Sequence, residues 1–217
     1  MKWIAIALVL LFMSISAFAE QKLFYKTYKE KSREVVDETS FHIGDLTDGK
    51  IVVQWKSQET GDEAEYALNT DYATQSWKVV STKEGNDYAG ERKGDQLLIK
   101  GKHKGKEIDK KIKINDRDFF FHPSLGLSGF ARSGKESLEF WVLRPDKLKG
   151  YKMKAKRLDE ETITLNGIEV ETVSVKWGLT GLLSKFVNQT SWYRKSDGVF
   201  VRSSAFRGTF MELVNEQ

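Results

Sequence analysis

Residues suited to proton transfer or metal ligation are scarce in this chain. His42, His103 and His122 are its three histidines, they lie far apart, and there is no cysteine. None of these spacings matches a metal-ligand pattern. The absence of thiols removes disulfides, thiolate nucleophiles and thiolate metal sites together. His103 falls within a lysine-rich hairpin and is expected at the surface, whereas His122, beside Pro123, is placed to cap a helix or line a pocket. Gly126-Leu127-Ser128-Gly129 approaches the Gly-x-Ser-x-Gly nucleophile elbow, but its second glycine arrives one residue early and no buried strand precedes it. Ala131-Arg132-Ser133-Gly134-Lys135 lacks the glycine spacing of a phosphate-binding loop. Asp159, Glu160 and Glu161 read as a solvated turn between strands, and Asn188-Gln189-Thr190 as a polar turn before a strand starting near Ser191. We assign no catalytic residue, no metal ligand and no cofactor, and expect a protein that is not an enzyme.

The elements that must position any site are strands. Asp48-Gly49, Lys104-Gly105, Asn166-Gly167 and Asp197-Gly198 each separate runs rich in β-branched and aromatic residues, and Asn, Asp and Gly tolerate the positive φ of tight hairpins. Alternation supports this: Tyr151, Met153 and Ala155 share one face while Lys152, Lys154 and Lys156 share the other. Ile51, Val53 and Trp55 likewise share a face, as do Ile112 with Ile114 and Trp77 with Val79. Parity changes between Val170 and Val173, which predicts a bulge or bend near Glu171-Thr172. Pro123 predicts the start of a short helix, and Leu179, Leu182, Leu183 and Phe186 recur at the spacing of a second. No linker or internal repeat is visible, so residues 20–217 are expected to form one β-rich domain.

Residues 1–19 resemble an export leader, with Lys2, an apolar run from Ile4 to Met13, and Ala17-Phe18-Ala19 offering cleavage after Ala19. The run is shorter than the ~20 residues that span a bilayer, and no later stretch is uniformly apolar, so no transmembrane segment is expected in the mature chain. The expected location is the periplasm. A formal charge of +4, from 35 basic and 31 acidic residues, describes a mixed surface. The lysine cluster from Lys100 to Lys113 reads as a solvated strand face, with an anionic-lipid or polysaccharide contact as the alternative, and an exported protein is not expected to meet nucleic acid.

Aromatic residues gather around the segment that lacks alternation. Phe121, Leu125, Leu127, Phe130 and Trp141 are the candidate ligand-binding residues, on the reasoning that a sheet curled around a short apolar helix encloses an apolar cavity. The alternative is that these rings fill the core.

The C-terminal half carries a resemblance. His122-Pro123-Ser124-Leu125, the strand Leu138 to Leu143, the strand Lys152 to Arg157, the hairpin at Asn166-Gly167 and the run Trp192 to Arg202 follow in an order similar to the DUF3108 family of exported bacterial proteins of unknown function. The resemblance covers roughly residues 119–214, and this chain has His122-Pro123-Ser124-Leu125 where that family usually has Asp-Pro-Leu-Ser. It implies one strongly curved antiparallel sheet, or a partly open barrel, with one or two short helices on the concave side, as in periplasmic carriers of lipoproteins. The function so implied is binding of a lipid or other apolar or amphipathic envelope molecule, or assembly of an envelope protein. A structural or protein-interaction module with a filled core is the alternative, and an envelope hydrolase ranks third.

Overall fold

The alternating runs become a meander. The computed structural model describes residues 20–181, 188–205 and 208–217, so the leader and most of the second expected helix lie outside the described residues. The first eight strands are β1 (Gln21–Lys29), β2 (Val35–Thr47), β3 (Lys50–Ser57), β4 (Glu63–Leu68), β5 (Thr74–Ser81), β6 (Asn86–Lys93), β7 (Gln96–His103) and β8 (Lys106–Lys113). After the two-residue β9 (Phe119–Phe120) comes the helix α1 (Pro123–Arg132). Six more strands follow: β10 (Ser137–Arg144), β11 (Lys149–Leu165), β12 (Ile168–Leu179), β13 (Asn188–Arg194), β14 (Phe200–Ser203) and β15 (Thr209–Glu216).

All fifteen strands belong to one curved, open sheet ordered β8-β7-β6-β5-β4-β3-β2-β1-β15-β14-β13-β12-β11-β10-β9. The two meanders therefore meet in the middle, where β1 pairs antiparallel with β15, and the edges β8 and β9 are consecutive in sequence. The turns at Asp48-Gly49, Lys104-Gly105 and Asn166-Gly167 have positive φ at both residues, as two-residue hairpins with the strands' own twist require. Asp197-Gly198 instead lies in a longer connection in which Gly198 alone of the pair has positive φ.

The sheet stops short of a hydrogen-bonded barrel and laps over itself. Trp141 and Gly150 are on the face of β10–β11 opposite to Phe140 and Met153, which fill the interior. The inner side of β8 covers that outer face: a Cβ on Gly150 would stand 3.1 Å from Ile112, and Trp141 Nε1 donates to Asn115 Oδ1 at 2.8 Å. His103 Nε2 lies 2.9 Å from the Pro145 carbonyl and its ring meets Tyr88 edge-on, so this residue is half-buried in the seam and not exposed as expected.

Four local expectations are corrected. The bulge lies in β11, between Arg157 and Glu160, while β12 pairs past it unbroken. Ile163, Leu165 and Val170 consequently stay on the convex side. There the hairpin tip leans on β14–β15, with Asn166 Nδ2 donating to the carbonyls of Leu213 and Val214. Asp159, Glu160 and Glu161 form no turn; they are strand residues, with Glu160 paired to Arg157 and Lys195, and Glu161 accepting from Trp192 Nε1. Asn188-Gln189-Thr190 opens β13, because each of its residues pairs with β12. Leu179 is the last residue of β12, so it contributes to a strand and not to a helix.

The helix fits inside the curl because two positions have no side chain. A Cβ at Gly126 would stand 2.5 Å from the Phe120 ring, and one at Gly129 would stand 2.9 Å from the Asp71 carbonyl oxygen. The glycines that suggested a failed nucleophile elbow are therefore points of close approach. Pro123 occupies the first turn after His122, and Arg157 donates to the Ala131 carbonyl at 2.7 Å, placing positive charge where the helix dipole is negative.

Candidate ligand cavity

One side of α1 faces open space. Ser124, Leu125, Ser128 and Arg132 recur at helical spacing and form the roof of a cavity of about 490 Å³. The opposite wall is built by inward residues of the two paired N-terminal strands, Leu23 and Tyr25 on β1 and Phe41 and Ile43 on β2. The connection between β13 and β14, from Ser196 to Phe200, closes one flank, and Tyr72 approaches from the connection between β4 and β5. At about 30 Å³ per molecule the space holds roughly 16 waters, within the range of sites that bind small organic ligands.

Its walls are locked by ring contacts and one buried hydroxyl bond. Tyr25 stands edge-on to Phe41 and stacks on Phe200, both with centroids 5.5 Å apart. Tyr25 donates its hydroxyl to the Phe200 carbonyl at 2.8 Å, and burial raises its pKa well above the ordinary phenol value. Behind Phe41 the His122 ring stands edge-on at 4.9 Å. Burial pushes the His122 imidazole down to about 4, and its buried Nδ1 has no hydrogen-bond partner among the described residues. It is neutral packing behind the wall.

Charge is confined to the rim, where Glu20, Arg132 and Asp197 are exposed. Asp197 is committed: Arg194 binds both carboxylate oxygens, the Val199 N–H donates to Oδ1 at 3.0 Å, and Arg194 also reaches Glu216 at 2.9 Å. Glu20 is paired with His42. Arg132 differs, because its guanidinium reaches only the Asp197 main-chain oxygen at 3.4 Å and makes no ion pair among the described residues. Its aliphatic stem lies where a Cβ on Gly198 would be, 2.5 Å from Arg132 Cδ, and the φ of +77° at Gly198 also requires glycine. The turn thus holds the arginine at the rim without neutralising it.

The five residues singled out from the sequence are not gathered around this space. Leu125 lines it. Leu127 lies on the far side of the helix and is 0 % exposed, and Phe130 is also buried in the core. Phe121 packs against Tyr66 and Trp77, with centroids 5.3 and 5.5 Å apart. Trp141 lies on the convex face beneath β8. The sequence argument passed over Leu23, Tyr25, Phe41, Ile43 and Phe200. Their alternation shows that they point inward, but only the pairing of β1 with β15 decides that they face a void. Arg132 gave no signal beyond standing in the last turn of the helix.

No protein-family model and no curated protein matches the chain. Among solved structures it is similar to the beta-barrel-like protein of the domain of unknown function DUF1849 from Brucella abortus, with a TM-score of 0.63 at 10% sequence identity, covering 91% of this chain and 97% of that one. The chain shares that protein's fold. The hypothetical lipoprotein YmcC from Escherichia coli is a more distant likeness, with a TM-score of 0.39 at 11% identity, covering 89% of this chain and 85% of that one. The likeness shows the fold, and membership of DUF3108 is not shown.

Proposed function

We propose that this chain is a non-enzymatic protein of the bacterial cell envelope that holds an amphipathic small molecule in the cavity beneath α1. The observation that carries the reading is the combination in one space of apolar walls, from Leu23, Phe41, Ile43, Leu125 and Phe200, with the carboxylate-free Arg132 at the rim. Such a site receives an apolar body inward and leaves a polar end at the opening. The leader-like residues 1–19 support export and a periplasmic location. A binding role is favoured over hydrolysis because, among the described residues, no histidine lines the cavity beside Ser124, Ser128 and Ser196, and the lining carboxylates of Asp197 and Glu20 are held by Arg194 and His42.

Native mass spectrometry of the protein purified from its own envelope tests this. A retained mass of one amphiphile, lost on organic extraction and restored by adding back the extract, is the expected result. A protein that flies at its bare mass, and that takes up no apolar fluorescent probe, would refute the carrier reading and favour an interaction module.

A further inference from the structure

The lysines of this sheet fall into two arrangements that differ in energy. On the convex face of β7–β8, Lys100 stands opposite Asp109 and pairs with it at 3.3 Å, and Lys102 stands opposite Glu107 and pairs with it at 3.7 Å. Opposite charges across a strand pair stabilise it modestly, and the cluster conspicuous in the sequence is internally compensated. On the convex face of β11–β12 the arrangement is reversed. Lys156 stands directly opposite Lys176, Lys154 stands between Gly178 on β12 and Glu139 on β10, and these three lysines make no ion pair among the described residues. Like charges directly opposed in a sheet destabilise it. Nearby, Glu139 accepts from both Arg117 at 2.6 Å and Lys152 at 3.1 Å, so one carboxylate serves two further cations.

The patch therefore presents Arg117, Lys152, Lys154, Lys156 and Lys176 against Glu139, with Glu161 on the same face committed to the Trp192 indole N–H. Its strands are ~4.8 Å apart and successive outward residues ~6.7 Å apart, which spreads the charge over a surface and not along a groove. The half-buried Trp192 of β13 borders it, standing opposite Ser174, one outward position along β12 from Lys176. Lysines beside an indole ring on a broad convex surface complement the headgroup region of a bilayer, where anionic lipids attract basic residues and indoles settle at the apolar boundary. A thread-like polyanion would instead call for a cationic groove.

We infer that the convex face of β11–β12 docks the protein on an anionic lipid bilayer through the unpaired Lys154, Lys156 and Lys176. This contact is separate from the cavity and does not depend on its being occupied. The repulsion between Lys156 and Lys176 is relieved on docking, because the lipid phosphates supply the counter-charge that the sheet lacks.

Co-sedimentation with vesicles tests the inference, comparing phosphatidylglycerol mixed with phosphatidylcholine against phosphatidylcholine alone. Wild type should bind the anionic vesicles and not the neutral ones, with binding weakened as salt shortens the ~10 Å screening length of 0.1 M solution. The triple variant Lys154→Gln/Lys156→Gln/Lys176→Gln should lose binding on the order of 100-fold, at about fivefold per basic residue near the surface. Its melting temperature should hold or rise, which separates lost docking from lost fold. The control Lys100→Gln/Lys102→Gln should bind nearly as wild type does. Equal losses in the two variants, undiminished binding by the triple variant, or wild-type binding to soluble polyphosphate but not to vesicles would each overturn the proposal.

Discussion

Two tryptophan substitutions should behave oppositely if the cavity beneath α1 is empty space. Leu127 is fully buried, and the adjacent Gly126 already stands so near Phe120 that a single Cβ would come within 2.5 Å of that ring. Leu127→Trp must push packed neighbours apart, which costs about 1–3 kcal/mol. At ~2–4 °C per kcal/mol for a chain of this size, the melting temperature should fall by about 2 to 12 °C. Ile43 is on the cavity wall, so the added ring of Ile43→Trp enters the 490 Å³ of open volume, on a strand where an aromatic residue is well tolerated. Its melting temperature should stay within about 2 °C of wild type. Its affinity for an apolar fluorescent probe should drop at least about tenfold, equivalent to ~1.4 kcal/mol. Thermal melting by circular dichroism and probe titration on the three proteins make the comparison. If Ile43→Trp melts as low as Leu127→Trp while wild type never binds the probe, the interior beneath the helix is filled and the argument fails.

Gly126→Ala should lower the melting temperature even though alanine favours helix by ~1 kcal/mol, because the methyl meets Phe120 and α1 must lift; a stabilised variant would show that the helix has room. With the His122 imidazole held at about 4 when folded, and titrating near 6.5 when unfolded, the unfolded chain binds more protons in between. Stability is then full above about pH 6.5, declines as pH falls towards about 4 by up to ~3 kcal/mol, and levels off below; urea melts should show that slope, and His122→Phe should lose it. Asn115→Ala removes the acceptor of the Trp141 indole and should loosen the lapped seam, seen as faster hydrogen exchange in β8 with little change in β1 or β15. N-terminal sequencing of the protein from the envelope should begin at Glu20, and an intact Met1 would contradict cleavage after Ala19.

Legibility in the sequence followed the range of the interaction. Asn166-Gly167 and Lys104-Gly105 announce their hairpins because positive φ at two successive residues is a local demand, and the alternation of Met153 and Ala155 with lysines announces a face because the pleat is local too. The parity change near Val170 was visible, but whether it is repaired depends on where the hairpin tip leans, and the contacts of Asn166 with the far strand β15 decide that. The cavity was the least legible feature. Leu125 and Leu127 are near-identical in sequence context, yet one lines open space and the other is enclosed, a difference set by helix rotation against Phe120 and Asp71. The same holds for Trp141, whose partner Asn115 belongs to the segment following β8, at the opposite edge of the sheet.

The meeting of β1 with β15 also orders the folding of the chain. Every other antiparallel pair joins strands that are neighbours in sequence, so both meanders can grow by hairpin addition at small loop-closure cost, and the central pair must wait for two ends nearly two hundred residues apart. Once it forms, Lys22 and Gln217 exchange two main-chain hydrogen bonds of 2.9 Å, which holds both tails of the described chain side by side in mid-sheet. A short linker across those tails, with new ends opened between β8 and β9 where the sheet has its natural break, would turn the longest-range pairing into one more hairpin. Such a circular permutant should keep the same lapped architecture and fold faster than the native connectivity.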